Sequence, residues 1–225
     1  MFEIGKVLSS LSSHRPIFHS EADFQHALAW EIKQYYPDSD LRLETKVHGK
    51  DSKIYLDLLV VHNKEKIAIE LKYKTKALIQ NVNNEEYVLN QQGAHDTGRY
   101  DVLKDFQRVE HMIENGVVDK GYVIFLTNDP SYYQPPNSYR NTVDKDFRIH
   151  FGQKVNGELS WADNTGEGTK KGREKAISLL GDYEMEWSTY SKVNEFNNGH
   201  FRYICIPMTI NSDIAKSASK MTNLI

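Results

Sequence analysis

Residues 121 to 129, GYVIFLTND, form a continuous apolar run of strand length, and such a strand has no polar face to give to water. It belongs in the middle of a sheet covered on both faces, so the chain must supply helices above and below it. The segment SEADFQHALAWEIKQYYP predicts one over residues 21 to 35, with Ser20 as cap, Asp23 at the capping-box position and Pro37 closing it. At ~100° per residue, Phe24, Leu28, Glu31 and Tyr35 share a stripe and Glu21 lies close to it, so both glutamates lean toward the buried face. A second helix is expected where Val102, Leu103, Phe106, Val109 and Ile113 recur at helical spacing, ending at Gly116.

Three extended segments lie between these helices: LRLETKV (41 to 47), IYLDLLVV (54 to 61) and KIAIELKYKT (66 to 75). Their short polar breaks predict a meander. Beyond the central strand, PSYYQPPNSYRN holds half of the six prolines and reads as an irregular loop. Asn156-Gly157 within FRIHFGQKVNGELSW predicts a hairpin turn, TKKGREKAISLLGDY a helix, and FRYICIPM a last strand. The expected fold is α/β, a mixed central β-sheet flanked by helices. It is expected as a single domain, 1–225, with a core at about 20–129 and a C-terminal hairpin-helix-strand elaboration at about 145–210.

The 28 basic and 31 acidic residues leave a net charge of -3. No overall basic field exists, and binding to a polyanion would need a local patch or a metal. The single cysteine, Cys205, sits in an apolar run, which excludes an internal disulfide and fits core packing in a reducing compartment. The first residues, MFEIGKVLSSLSSHRP, have no basic stretch before their apolar ones, and no run reaches the ~20 apolar residues of a membrane span. A cytoplasmic protein without a membrane partner is expected, and a homo-oligomer or larger complex stays open.

The strand KIAIELKYKTK carries Glu70 and Lys72 on one face and Ile67, Ile69 and Leu71 on the other. In IYLDLLVV, Asp57 shares its face with Tyr55, Leu59 and Val61. A two-residue loop at Asn63-Lys64 would set Asp57 opposite Glu70, whereas a four-residue loop would set it opposite Lys72. Odd loops would separate them. With aliphatic neighbours on Asp57's face, two adjacent carboxylates need a positive charge between them. Lys72 offers one charge; a divalent cation with oxygen ligands offers two and keeps positions open for water and phosphate. The preceding helix can bring a third carboxylate from Glu21 or Glu31.

This ordered set, an inward glutamate on a helix, an aspartate on a strand and E-x-K on its hairpin partner, resembles the PD-(D/E)XK nuclease superfamily over residues 20 to about 129. The pattern E-x-x-F-Q-x-x-L favours Glu21 over Glu31, and Leu-Asp stands where the family name has Pro-Asp. The resemblance implies a restriction-endonuclease-like core and Mg²⁺-dependent (or Mn²⁺-dependent) hydrolysis of phosphodiesters, with DNA as the expected partner. It implies Glu21, Asp57, Glu70 and the Leu71 carbonyl as metal ligands, and Lys72 as the group that positions the attacking water and offsets charge on the phosphorane. A non-catalytic nucleic-acid-binding or assembly module of the same fold, or action on RNA or branched substrates, are the alternatives.

Downstream, Gln92, Arg99 and Tyr100 in NQQGAHDTGRYD are candidates for a backbone phosphate, as is Lys74 on the site strand. The stretch GEGTKKGREK lacks phosphate-loop spacing, and the nine histidines show no zinc spacing. Aromatics in PSYYQPPNSYRN are weighed both as stacking platforms for unpaired bases and as loop packing.

Overall fold

The computed structural model describes residues 1–48, 53–136 and 142–209. The chain runs through α1 (Ile4–His14), α2 (Glu21–Tyr35), β1 (Asp40–His48), β2 (Lys53–His62), β3 (Glu65–Lys74), β4 (Leu78–Val82), β5 (Glu85–Leu89) and α3 (His95–Glu114). It continues through β6 (Lys120–Thr127), α4 (Pro130–Tyr133), β7 (Lys154–Leu159), α5 (Glu167–Lys170), β8 (Ile177–Glu184), β9 (Ser188–Lys192) and β10 (His200–Met208).

Six strands form a mixed sheet in the order β1-β2-β3-β6-β10-β9. The β3–β6 pair is parallel and the others are antiparallel. As its composition requires, β6 is covered on both faces: Val123 and Phe125 pack with Phe106 and Val109 of α3, while Ile124 and Leu126 pack with α1 and α2. At Gly121 a Cβ would stand 2.3 Å from Val109 Cγ1 and 3.1 Å from the Ala68 carbonyl, so glycine lets α3 approach the sheet.

Local chemistry sets the ends of the helices. The Ser20 hydroxyl accepts the Asp23 N–H at 3.1 Å, while the Asp23 carboxylate takes the His19 N–H and the Arg15 guanidinium, fixing the turn from α1 into α2. Helix α3 closes in a Schellman arrangement at left-handed Gly116, with Val117 N–H on the Met112 carbonyl and Gly116 N–H on that of Ile113. The β2–β3 loop is the two-residue kind, with Asn63 and Lys64 both at positive φ in type I′ fashion.

Several expectations are corrected. Asn156-Gly157 is not a hairpin turn; it lies inside β7, opposite an irregularity in β8. There the Leu180 and Gly181 N–H groups leave the ladder and bind the Glu110 carboxylate of α3 at 3.0 and 2.8 Å. The segment AISLLGDY is strand β8 rather than a helix, because buried Ile177 and Leu179 alternate with exposed Ser178 and Leu180. The C-terminal part is therefore not a hairpin-helix-strand appendage: β9 and β10 complete the central sheet, and α5 is a single helical turn.

Tyr35 is half-exposed and Ile32 takes its place on the buried stripe of α2. Tyr132 and Tyr133 are buried rather than presented for stacking, while residues 137–141 of that loop lie outside the described residues. Helix α1, the β4–β5 hairpin and β9 were not foreseen. The hairpin turns on Asn83-Asn84, again both at positive φ. Among the described residues no helix is long and apolar enough to cross a membrane.

Candidate functional site

The two-residue loop settles the parity of β2 and β3. Their pairing runs from His62 with Glu65 to Leu58 with Ile69 and then stops. One step further along this register, Asp57 stands opposite Glu70. Where the ladder ends, the N–H groups of β3 on its β2 side need other acceptors. Asp57 Oδ2 accepts from the Leu71 N–H at 2.6 Å, and Glu21 Oε2 accepts from the Tyr73 N–H at 2.7 Å. Two carboxylates, one from β2 and one from the first turn of α2, thus grip the backbone on either side of Lys72.

Strand β1 is also irregular here. Glu44, between the paired residues Leu43 and Thr45, has φ +49, a conformation that is uncommon outside glycine. The Gln25 amide bridges the Glu44 carboxylate and the Asp57 carbonyl, both at 2.9 Å, and so ties α2 to the opened end of β2.

The other face of β3 turns toward α3, and there two residues complete the site that sequence reasoning missed. Lys72 Nζ lies 3.1 Å from Asp105 Oδ2, Arg108 donates to Asp105 Oδ1 at 2.8 Å, and Arg108 Nη2 lies 2.7 Å from Glu70 Oε1. Charge alternates along Lys72, Asp105, Arg108 and Glu70. The aligned hydrogen bond from Arg108 Nη2 goes to the Tyr55 carbonyl at 2.7 Å. Its contact with Glu70 is therefore ionic, and Glu70 Oε1 has no hydrogen-bond donor among the described residues. The spacing of Asp105 and Arg108, three apart on a helix, resembles an ordinary solvated pair, which is why it carried no signal.

Burial controls the protonation of these groups. Glu70, 1% exposed, is pushed well above the usual carboxylate range by desolvation, then by the charge of Asp105, against the pull of Arg108. Desolvation likewise raises Asp105 and Glu21, opposed in each case by Lys72. For Lys72, burial acts to lower the pKa but is outweighed by Asp105, Glu21 and Asp57, which hold the ammonium charged. Four carboxylates share two cations, so the cluster has room for further positive charge.

That excess, an all-oxygen donor set and a buried carboxylate oxygen without a donor fit a hard divalent cation in chemistry. In the arrangement described, Arg108 fills part of that role at Glu70. Among the described residues no three His, Cys, Asp or Glu side chains converge as a metal-ligating group.

Comparison with protein-family models, curated proteins and solved structures returns no match.

The remaining candidates divide. Glu31 is buried against α1, with His14 Nε2 3.3 Å from its carboxylate, and makes no contact with the cluster. Arg99 is committed inside the fold to Asp144 at 2.7 Å and to the Ser131 carbonyl. Tyr100 stacks on Trp161 and donates to the Lys175 carbonyl. Both are structural, because the polar entry to α3 is covered by the C-terminal segments. Gln92 and Lys74 do lie beside the cluster, lining with Glu21 a cavity of 220 Å³.

Proposed function

We propose that this chain is a divalent-metal-dependent nuclease with a restriction-endonuclease-like core, acting on DNA in the cytoplasm. The observation that carries the reading is the pair of carboxylates, Asp57 and Glu21, bound to the N–H groups on either side of Lys72. It supports a role for one ammonium flanked by two carboxylates where β2 parts from β3. Glu21, Asp57 and Glu70, with the Leu71 carbonyl, would hold Mg²⁺ or Mn²⁺. The bound ion supplies Lewis acidity and a more acidic water at the scissile phosphate.

The protein's own groups do the rest. Lys72, kept charged by three neighbouring carboxylates, orients a water and offsets negative charge as the phosphorane forms. Asp105 holds that ammonium in place and Arg108 neutralises Glu70, so both act through the groups they touch. Gln25 fixes the backbone of Asp57.

Cleavage of labelled single-stranded, duplex and branched DNA, and of RNA, in Mg²⁺ tests the reading. The parent is expected to cut DNA, and Asp57→Ala and Lys72→Ala are expected to be inactive yet folded. Undiminished cleavage by Asp57→Ala would sink it. The Arg108–Glu70 contact and the lack of a converging carboxylate triad among the described residues favour a second reading, a non-catalytic nucleic-acid-binding module. Calorimetric titration separates the two, since no heat at millimolar Mg²⁺ or Mn²⁺ favours the module.

A further inference from the structure

The cavity beside Glu21 lies between the start of α2, the end of β3 and the strand end and loop that follow β5. Its 220 Å³ is below the roughly 300–1,000 Å³ of pockets for drug-sized ligands, the scale of one small ring system. The walls combine what a nucleobase needs. Val88 and Leu89 are aliphatic, and His19 adds a flat ring stacked on Tyr87 at 4.3 Å and 16°.

Two residues with amide side chains, Asn90 and Gln92, line the cavity from the segment after β5. The Gln92 Oε1 is occupied by the Thr75 N–H, and its amide NH₂ has no partner among the described residues. Asn90 uses its backbone carbonyl to accept the Thr75 hydroxyl, and its side-chain amide has no partner among the described residues. Lys74 sits on the same wall with a charge for an adjoining phosphate.

We infer that this cavity binds one unpaired nucleobase, with the adjoining phosphate at Lys74, so that the substrate is single-stranded or frayed nucleic acid rather than intact duplex. The inference rests on the nuclease reading. A base in a duplex is stacked and paired and cannot enter a side cavity without being extruded, which costs a few kcal/mol. An unpaired base enters freely and gains stacking and edge contacts.

The test is fluorescence anisotropy with a short labelled DNA single strand and the matching blunt duplex, on the full chain in EDTA so that nothing is cut. Val88→Trp fills the cavity from an exposed position and Asn90→Ala removes an edge contact; neither residue belongs to the catalytic cluster. Each is expected to lower single-strand affinity, Val88→Trp by about tenfold, with duplex affinity unchanged. Equal effects on both strands, no effect on either, or a parent that binds duplex as tightly as single strand overturns the pocket. Cleavage lost in Asp57→Ala but retained with unchanged strand preference in Val88→Trp overturns the pocket and leaves the nuclease reading intact. A parent that neither binds nor cuts any strand overturns both.

Discussion

Replacing Arg108 by methionine removes the cation that faces Glu70 while keeping a long apolar stem. The guanidinium lies 2.7 Å from Glu70 Oε1, donates to Asp105 at 2.8 Å and to the Tyr55 carbonyl at 2.7 Å. Its loss leaves Glu70, 1% exposed, dependent on Lys72, which is already paired with Asp105. Breaking a buried ion pair costs about 3–5 kcal/mol. Because the Arg108 side chain is 22% exposed and water can partly replace it, about 3 kcal/mol is expected. The double variant Arg108→Met/Glu70→Gln removes both charges together and should recover most of that loss, since an apolar or neutral substitute for a buried pair is often nearly neutral.

Urea unfolding at neutral pH in EDTA measures all three proteins. Added Mg²⁺ should stabilise Arg108→Met more than the parent, because the ion supplies the missing charge at Glu70; a ligand at a hundredfold its Kd contributes about 2.7 kcal/mol. A cost under about 1 kcal/mol for Arg108→Met, well below the range for a buried pair, refutes this account of the cluster. So does a double variant no more stable than the single one.

Other outcomes follow from the same structure. Glu70 has a folded pKa above its unfolded 4.5, so in EDTA the stability it contributes is present below that pH and lost as pH rises through the folded value. The stability of Glu70→Gln relative to the parent should therefore climb with pH from about 4.5 toward neutrality, read by urea midpoints; a flat difference contradicts the raised pKa. Gly121→Ala forces a methyl against Val109 and the Ala68 carbonyl and should cost about 1–3 kcal/mol in thermal or urea unfolding. Burial pushes the Cys205 thiol up to about 12, so although the residue is only partly buried a thiol reagent at pH 8 should label it more slowly in the folded protein than in denaturant, seen by mass spectrometry.

How far the sequence reaches can be judged at Asp57. Its alignment with Glu70 follows from strand period and loop length alone, and Asn63-Lys64 makes that loop two residues long. The end of the ladder is a different matter. That β2 parts from β3 after Leu58, and that Asp57 and Glu21 then replace its hydrogen bonds on Leu71 and Tyr73, depends on where α2 packs. Local spacing does not encode this. The same limit hid Asp105 and Arg108, whose i,i+3 spacing is identical for a solvated pair and for a pair buried on Glu70 and Lys72. Asn156-Gly157 misled for a related reason: a left-handed glycine suits a turn and an irregular strand alike, and Glu110 on a distant helix decides between them by binding the N–H groups that β8 frees.

The cluster is built around a conflict that either reading of the function must resolve. Four carboxylates and two cations meet at the opened end of a hairpin, and burial opposes ionisation of three of the acids. A purely structural cluster would be more stable with fewer charges, because buried ion pairs are often outperformed by apolar packing. Retaining two unmatched carboxylates, one of them on the wall of an open cavity, makes physical sense if positive charge arrives from outside. A cation at Asp57 and Glu70 would relieve that strain and would also offset the repulsion between Glu21 and the phosphate of a nucleotide bound beside it. Mg²⁺ and a single strand should therefore bind with positive coupling, each raising the affinity for the other by the same factor. Anisotropy titrations of the parent with and without Ca²⁺, a cation of the same charge and oxygen preference, measure that factor, and a ratio of one removes the link between the cavity and the cluster.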